Sequence, residues 1–199
     1  MAEWLIASNN QYKTADLIAC LNRAGISAKP YTDDWPPMTF PVETTDSYAD
    51  NARLKAQFLA QVTGEPVIAD DSGLEVPFIG DTLGVTTKRY LHQDHQHSDN
   101  ETLLLALKEA PDDQRTATMT CTLCAVSQNA DPVLATGTVT GTIAQAEQGH
   151  YSTGFDKLFV LSATHQTLAE LPDDTRIPLT HRGQAAVRLA QLLKSARNQ

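Results

Sequence analysis

Two long threonine-rich segments constrain the fold of this chain more than any other feature. Residues 115–126 and 133–144 are rich in β-branched residues, and only the short polar stretch SQNAD separates the two apolar-polar patterns. Two such segments joined by a short turn predict a pair of strands in a β-hairpin. The fold therefore includes a sheet with at least one antiparallel pair.

Helical patterns alternate with shorter strand-like segments in the rest of the chain. Residues 4–7 predict a strand, and a polar loop separates it from a helix with Leu17, Ile18 and Leu21 on one face. Further helices are predicted from an N-cap at Asp46 to Gly64, over residues 100–109, and from about Gly183. Helices mixed with parallel and antiparallel strands predict an α/β fold with a mixed sheet. A length of 199 residues fits one domain, or two tightly joined lobes.

Two segments between these elements carry further predictions. The proline-rich, acidic residues 30–42 contain Pro36-Pro37 and predict an exposed connection. Residues 66–69 are apolar and predict a buried strand that stops at Asp70-Asp71-Ser72-Gly73. We expect charges at such a strand end to face a cleft.

The charge balance limits the partners. Fifteen basic and twenty-four acidic residues give a net charge of −9, which repels nucleic-acid backbones and anionic lipid. No segment reaches the roughly 18 apolar residues of a membrane span, and MAEWLIAS has no basic region before its apolar run. We expect a cytoplasmic protein that binds no nucleic-acid polymer and no membrane. A small anion is compatible with this charge if a divalent metal assists.

Cys121 and Cys124 form a C-x-x-C sequence, which can mark a redox or zinc site. They lie where threonines alternate with apolar residues, as in a half-buried strand, and no second cysteine pair completes a zinc site. An odd number of cysteines also indicates reduced thiols. We expect two buried thiols that pack as small apolar side chains.

Asp70-Asp71 is the acidic pair with the clearest chemical meaning. The three other Asp-Asp pairs each lie within two residues of a proline, which is typical of solvated turns and helix caps. Paired carboxylates suit Mg²⁺, which takes one or two protein oxygens and completes its shell with water and substrate phosphate. For Asp70 by itself, capping of a turn is an equally good interpretation.

Basic residues lie singly at the ends of predicted elements. They are Lys13, Lys55, Arg89, Arg176, His181 and Arg182. His181 and Arg182 precede the last predicted helix, where an anion site and an ordinary helix cap give the same pattern. His92, His95 and His97 with Asp94 resemble a metal-binding tract, but a solvated loop is the better interpretation because no further ligand is suitably spaced. The residues alone predict metal-assisted chemistry on a small anion near Asp70 and Asp71.

Several segments, taken in order, resemble the inosine/xanthosine triphosphate pyrophosphatase family over residues 5–193. The most specific are Asp50-Asn51-Ala52 with Lys55-Ala56, and PVIADDSGL at residues 66–74, which resemble E-N-A-x-x-K-A and P-x-I-A-D-D-S-G-L. Three further segments in the first half of the chain resemble family motifs: Ser8-Asn9-Asn10 with Lys13 resembles T-G-N-x-x-K, Glu43-Thr44 resembles E-T-G, and Arg89-Tyr90 resembles S-A-R-Y. Two segments near the C-terminus do so as well: Ala169-Glu170-Leu171 resembles A-E-L, and HRGQA at residues 181–185 resembles S-H-R-G-Q-A.

The resemblance implies a fold and an activity. It implies an elongated mixed β-sheet with flanking helices, in one domain of residues 1–199 whose two lobes surround a central cleft. It further implies a homodimer and a Mg²⁺-dependent hydrolysis of ITP, dITP and XTP to the nucleoside monophosphate and pyrophosphate. Removal of deaminated purines from the nucleotide pool is the corresponding function.

The resemblance also assigns roles to residues. Asp71 corresponds to the general base and a metal ligand, and Glu43 to a second carboxylate near the metal. The residues implied to bind substrate are Ser8, Asn9, Asn10, Lys13, Lys55, Ser72, Thr153, Gly154, Phe155, Asp156, Arg176, His181 and Arg182. Such groups suit attack of water on the α-phosphorus, which needs a base and cations across the phosphates.

The departures from the family pattern concern mainly base recognition. Thr153 stands where the family's F-G-Y-D-P has an aromatic residue that would stack on the purine, and Arg176 stands where a Lys is usual. Asn9 replaces a glycine, which Asn tolerates because it adopts left-handed backbone more readily than most residues. Two alternatives follow: a pyrophosphatase with altered base preference, and a nucleotide-binding protein that has lost catalysis.

Overall fold

The structure, a computed structural model, describes residues 3–43, 47–80, 83–87, 91, 96–128 and 130–197. The strands are β1 (Trp4–Ile6), β2 (Ala28–Pro30), β3 (Val67–Glu75), β4 (Thr116–Val126), β5 (Val133–Ile143) and β6 (Phe159–Leu161). The α-helices with described bounds are α1 (Gln11–Arg23), α2 (Tyr48–Thr63), α3 (Asp99–Ala106), α4 (Asp173–Leu179) and α5 (His181–Arg197). In this part of the chain, no helix is both long and apolar enough to cross a membrane.

The strands form one mixed sheet in the order β2-β1-β3-β4-β5-β6. β1 is parallel to β2 and to β3, with Leu5 opposite Lys29 and Val67. β5 is antiparallel to β6. The threonine hydroxyls of β4 and β5 pair as Thr118 with Thr140 and Thr122 with Thr136, an antiparallel register. The predicted hairpin strands and the α/β fold with a mixed sheet are confirmed.

The chain divides into two compact units, each with its own apolar core. The first unit comprises residues 1–71, 121–137 and 181–199, and the second comprises residues 72–120 and 138–180. Leu5, Leu59 and Val67 belong to the core of the first unit. Leu74 and Phe159 belong to the core of the second. The predicted single domain with a cleft between lobes stays a prediction.

Local capping explains where the first two helices begin. The Asn10 side chain accepts a hydrogen bond from the Lys13 amide at 3.0 Å and caps α1. Ser47 caps α2 in the same way, accepting from the Asp50 amide at 3.2 Å. The cap of α2 is therefore Ser47; the predicted Asp46 lies outside the described residues. The helix ends at Gly64, whose φ of 75° is the left-handed conformation of a glycine C-cap.

The proline-rich residues 30–42 are not simply an exposed connection. Ala28–Pro30 forms the edge strand β2, where a proline is tolerated because one side of the strand needs no hydrogen bonds. Tyr31 is fully buried, and its ring packs edge-on against Phe40 at 5.7 Å. The prediction of an exposed segment was wrong because three aromatic side chains, those of Tyr31, Trp35 and Phe40, contribute to the core of the first unit.

β3 continues through the position at which the sequence predicts its end. The strand runs from Val67 to Glu75, so Asp70 and Asp71 lie within it and are 2% and 5% exposed. The expectation was wrong because the charged side chains interrupt only the apolar pattern. A strand can continue through such residues when they form ion pairs. Asp70 nevertheless lies beside the end of the neighbouring strand β1. Ile6, the last residue of β1, pairs with Ile68, so Asp70 is level with the loop that follows β1.

The three cysteines are buried thiols, as predicted for Cys121 and Cys124. Burial raises the pKa of the Cys124 thiol to about 11. A thiol with so high a pKa forms little of the reactive thiolate at neutral pH.

This burial predicts slow thiol chemistry. At pH 8, all three thiols of the urea-unfolded chain should react with a disulfide reagent such as DTNB. In the same time, we expect fewer than one thiol per chain to react in the native protein. Absorbance of the released chromophore measures both rates. Rapid reaction of two thiols without loss of the folded state would contradict the burial of these cysteines.

Candidate active site

The loop after β1 leads directly into the first turn of α1. Asn10 donates its amide to the Ser8 hydroxyl at 3.2 Å, and its side chain caps the helix. Amides at a helix N-terminus attract phosphate through their N–H groups and the helix dipole. Asn9 turns instead towards the proline-rich segment, where its side chain bonds the Tyr31 hydroxyl and the Met38 carbonyl.

Asn9 therefore holds protein groups with its side chain, in addition to its predicted place in the substrate loop. Its backbone does not use the left-handed conformation expected for a residue in place of glycine, since His165 alone among the described non-glycine residues has a positive φ. The loop keeps its shape through side-chain hydrogen bonds rather than through unusual backbone geometry.

Lys13 and Asp70 form the first ion pair of the site. The Lys13 ammonium lies 2.9 Å from Asp70 Oδ2, and the two side chains are 24% and 2% exposed. Burial opposes ionisation of Asp70, but the positive charges of Lys13, Lys55 and Arg182 outweigh it and hold the pKa of Asp70 well below its usual range. Asp70 is therefore an anion at neutral pH and holds Lys13 in place. The alternative interpretation of Asp70 as a turn cap is wrong, because it lies within a strand.

Asp71 contacts two side chains from one face of α2. Asn51 donates from Nδ2 to Asp71 Oδ2 at 2.9 Å. Lys55, one helical turn later, has its ammonium 3.9 Å from Asp71 Oδ1 and 2.6 Å from Glu43 Oε1. Residues four apart on a helix share a face, which explains how Asn51 and Lys55 meet the same carboxylate. We call Lys13, Glu43, Asn51, Lys55, Asp70 and Asp71 the acid-lysine cluster.

The two carboxylates that contact Lys55 have pKa values shifted in opposite directions. Burial raises the pKa of Asp71, and the nearby Lys55 and Asn51 only partly offset it. Burial acts on Glu43 in the same sense, but its hydrogen bond to Lys55 and the lysine charge lower its pKa overall. The pKa of Lys55 is raised, because the charges of Asp70 and Glu43 outweigh its desolvation. The pKa of Asp71 is thus raised where that of the neighbouring Asp70 is lowered, so Asp71 is the more basic of the two aspartates, which suits a general base.

The last helix adds two further predicted site residues to the first unit. α5 begins at His181, two residues before the predicted start at Gly183, so His181 and Arg182 belong to its first turn. His181 is buried. Arg182 donates from Nη1 to Asp16 Oδ2 at 3.2 Å, and Asp16 lies on α1 one turn after Lys13. The positive charge of Arg182 also reaches Asp70.

The second unit holds another buried ion pair, between Arg176 and Asp156. Arg176 Nη1 donates to Asp156 Oδ2 at 2.9 Å, and both side chains are less than a tenth exposed. Asp156 also accepts from the Ser152 hydroxyl at 2.6 Å. Asp173 accepts from Nε and Nη2 of Arg176. Each of these groups fixes the orientation of the guanidinium, which uses the planar donor pattern that a lysine lacks.

The loop before β6 is anchored but exposes the residue that departs from the family pattern. Thr153 is exposed, whereas Phe155 packs against the core of the second unit. Gly154 has a φ of 60°, and its carbonyl accepts from Asn100 Nδ2 at 2.9 Å. Ser72 on β3 is half-buried. The ring of Phe155 thus serves the core, and the exposed position 153 carries no aromatic.

Asp71 and Glu43 are the carboxylates beside Lys55 that could hold a metal ion. Both carboxylates contact the Lys55 ammonium, Glu43 through Oε1 and Asp71 through Oδ1, so these two oxygens lie on the same side of the cluster. Mg²⁺ needs only one or two carboxylates when water and phosphate complete its shell. Three or more histidine, cysteine or acidic side chains do not converge on such a site anywhere in the part of the chain that the structure describes. A metal ion here would therefore be held by two carboxylates, with substrate oxygens as its further ligands.

Several residues of the site were missed by the sequence analysis, and some predictions cannot be placed. Asn51 was quoted only as part of a motif, and Asp16, Ser152 and Asp173 carry no sequence signal, since their partners lie elsewhere in the chain. The predictions at Thr44, Arg89, Tyr90, His92, Asp94 and His95 fall outside the described residues. His97 is described and exposed.

Gly137 of β5 supports the start of α5. A Cβ at this position would overlap the His181 carbonyl and lie 2.5 Å from the Ala185 amide. Gly137→Ala is therefore expected to displace the first turn of α5, with a loss of about 2 kcal/mol in unfolding free energy. Turnover should fall as well, because His181 and Arg182 move. Urea unfolding and steady-state rates measure the two effects.

A matched control is Thr138→Ala, which changes the neighbouring exposed residue of the same strand. This variant should keep the stability and the rate of the wild type. Equal stability of Gly137→Ala and the wild type would show that the helix does not need this close approach.

Comparisons with known proteins agree with the resemblance. The sequence profile of the Ham1 family matches residues 4–192. A dihydroneopterin triphosphate diphosphatase of Limosilactobacillus reuteri is 36% identical over 191 residues, covering 96% of this chain and 97% of that protein. A dITP/XTP pyrophosphatase of Exiguobacterium sp. is 35% identical over 185 residues, 93% of each chain.

A solved structure gives the same result. The HAM1 protein from Coxiella burnetii is 30% identical, with a TM-score of 0.80 over 98% of this chain and 100% of that one. The match extends over the elements that carry the acid-lysine cluster and over those of the second unit. The resemblance predicted from the sequence is confirmed: this chain belongs to the Ham1 family.

Proposed function

We propose that this chain hydrolyses non-standard purine nucleoside triphosphates such as ITP, dITP and XTP to the monophosphate and pyrophosphate. It is a nucleoside triphosphate pyrophosphatase, the hydrolase class that the sequence predicts and that the names of its Ham1 relatives support. The observation that carries the proposal is the acid-lysine cluster, in which a basic carboxylate lies beside two fixed ammonium groups. Removal of deaminated purines from the nucleotide pool follows from this specificity.

Asp71 acts as the general base in this proposal. Its carboxylate accepts a proton from the water that attacks the α-phosphorus, and the bond from that phosphorus to the bridging oxygen breaks. Pyrophosphate leaves with the bonding electrons. Lys13, Lys55 and the N-terminus of α1 stabilise the negative charge on the phosphate oxygens, as fixed donors do in phosphoryl transfer.

The charge of the cluster supports the proposal that a metal ion takes part. Lys13, Lys55 and Arg182 are already matched by their carboxylate partners Asp70, Asp71, Glu43 and Asp16. A bound triphosphate therefore brings negative charge that these side chains do not neutralise. We assign Mg²⁺ to Asp71 and Glu43, where it would neutralise charge on the phosphates. Ser8, Asn10, Lys13 and Lys55 then bind the triphosphate directly.

Base recognition is assigned to the residues that the family pattern places there. We propose that Asp156, Arg176 and the loop of residues 153–155 contact the base, together with Ser72, and that His181 and Arg182 donate to the oxygen of a 6-oxo purine. The buried Asp156–Arg176 pair supports this role because its geometry is fixed before a ligand arrives.

A pterin triphosphate is a second candidate substrate. A relative 36% identical to this chain is named a dihydroneopterin triphosphate diphosphatase. Thr153 does not discriminate between the two candidates, because either fused ring would stack on an aromatic side chain and position 153 carries none. A pterin carries an oxo group on a fused ring, as hypoxanthine does, so the same donors suit either compound.

Pyrophosphate release tests the proposal. The panel contains ITP, XTP, dITP, ATP, GTP, CTP, UTP and dihydroneopterin triphosphate, each with Mg²⁺ and with EDTA. We expect kcat/KM to be highest for ITP or XTP and turnover to stop in EDTA. The highest value on the pterin would establish the second candidate instead.

Three other results would overturn the proposal or its use of a metal ion. A preference for ATP or a pyrimidine triphosphate would indicate another base specificity. Thermal stabilisation by nucleotides without release of pyrophosphate would indicate a binding protein that has lost catalysis. Full activity in EDTA would remove the metal from the mechanism.

Assembly and location complete the proposal. We propose a homodimer, as the family resemblance implies, and light scattering of the purified chain tests it against a monomer. We propose a cytoplasmic location, because the substrates belong to the nucleotide pool and three buried thiols suit a reducing compartment.

A further inference from the structure

Asn51 is completely buried on the first full turn of α2. Its Nδ2 donates to Asp71 Oδ2 at 2.9 Å. An amide buried at this depth costs free energy unless it is hydrogen-bonded, so its contact with Asp71 is a feature that the fold maintains. Asn51 does not belong to the substrate residues or to the metal ligands that the sequence predicts.

The two oxygens of Asp71 meet different groups. Oδ2 accepts from Asn51, and Oδ1 faces the Lys55 ammonium at 3.9 Å. A carboxylate that is held at one oxygen by a neutral donor cannot rotate freely about its χ2 angle. The other oxygen then keeps one direction, and it lies on the side of the charged groups Lys55 and Glu43.

We propose that Asn51 is a positioning residue for the reaction: it holds Oδ2 of Asp71 and thereby fixes the direction of Oδ1, which lies on the side of Lys55 and Glu43. This inference rests on the proposed function. If the Asp71 carboxylate turned freely, or if both of its oxygens contacted Asn51, Oδ1 would not keep this direction in all molecules. Orientation of a reacting group within hydrogen-bond distance contributes to rate without contributing to substrate affinity.

The test compares two variants of α2. Asn51→Leu keeps the volume and removes the donor, and Asn51→Asp keeps the shape and places a carboxylate against Asp71. We expect kcat on the best substrate of the panel to fall about 10- to 100-fold for Asn51→Leu, as for residues that orient other reacting groups. The fall should be larger for Asn51→Asp, because two carboxylates then repel each other.

A second readout does not depend on turnover. The affinity for the α,β-methylene analogue of that substrate, measured by calorimetry, should change less than threefold in both variants. A loss of affinity equal to the loss in kcat/KM would make Asn51 a substrate-binding residue and would overturn the proposal.

A structural role is tested with a matched control. Ser47→Ala removes the N-cap of the same helix, so it should lower the Tm by several degrees and leave kcat unchanged at temperatures at which the protein is folded. If Asn51→Leu behaves in the same way, with lower Tm and full kcat, then Asn51 serves the fold only.

A double-mutant cycle completes the test. In the Asp71→Asn background, Asn51→Leu should change the residual rate, followed in single-turnover experiments, by less than twofold. An equal loss in both backgrounds would show that Asn51 acts independently of Asp71. An inactive wild type would instead overturn the proposed function, which separates the two failures.

Discussion

Asp71→Asn is expected to lower kcat by about 10³- to 10⁴-fold, the upper part of the range for loss of a general base. The side chain keeps its shape, and Asn51 can still donate to the remaining carbonyl oxygen. Pyrophosphate release with Mg²⁺ measures the rate. A rate within tenfold of the wild type would contradict the role of Asp71 as the base.

The stability of the same variant should not fall. Burial raises the pKa of Asp71, which means that the fold disfavours its charged form. Removing that charge at neutral pH should leave the free energy of unfolding unchanged or slightly higher. Asp113→Asn, which changes an exposed carboxylate in the second unit, is the control and should keep both rate and stability.

Lys13→Met is expected to affect stability and activity together. It leaves the Asp70 carboxylate buried without its 2.9 Å partner. Loss of one member of a buried pair costs about 3–5 kcal/mol, and we expect about 2–3 kcal/mol here because a quarter of Lys13 is exposed. Turnover should be lost because Lys13 binds the triphosphate. Urea unfolding and pyrophosphate release measure the two effects.

The double variant Lys13→Met/Asp70→Asn separates the two effects. It removes the buried charge, so the stability should return to within about 1 kcal/mol of the wild type, while activity stays lost. A double variant as unstable as the single one would show that Lys13 stabilises by packing. Lys29→Met breaks the exposed pair with Asp34 and should change the stability little.

The sign of the pH dependence follows from Asp70. Its pKa is lower in the folded protein than its ordinary value of 3.8, so its ion pair stabilises the fold above that pH. As the pH falls from 3.8 towards the lower pKa of the folded protein, the unfolded chain binds a proton at Asp70 before the folded protein does, so the contribution is progressively lost. The stability difference between the wild type and Asp70→Asn should therefore shrink in acid and stay constant near neutral pH.

Local sequence patterns determined the types of most secondary-structure elements. Alternating threonines predicted β4 and β5, and apolar residues at helical spacing predicted α1 and α2. These predictions succeeded because hydrophobic periodicity depends only on residues close in the chain. Element ends were less certain: β3 passes through Asp70 and Asp71, and α5 begins at His181, because charged residues with ionic partners are tolerated inside an element.

The candidate site divides in the same way. The motifs around Lys13, Lys55 and Asp71 identified the chemistry, because these residue types occur in the same order and spacing as in the family that the chain resembles. The sequence by itself did not determine which acid pairs with which cation. Lys13 meets Asp70, Asn51 meets Asp71, and Arg182 meets Asp16 across 166 residues of chain.

Only the tertiary structure decided these pairings, because strand register and helix packing bring together residues far apart in the chain. The same packing buried Tyr31 within a proline-rich segment that looked exposed, and it made neighbouring aspartates chemically different. Asp70 is held as an anion by three cations, whereas burial makes Asp71 the more basic group. The sequence thus determined the elements and the reactive residue types, and the fold decided their partners and acidities.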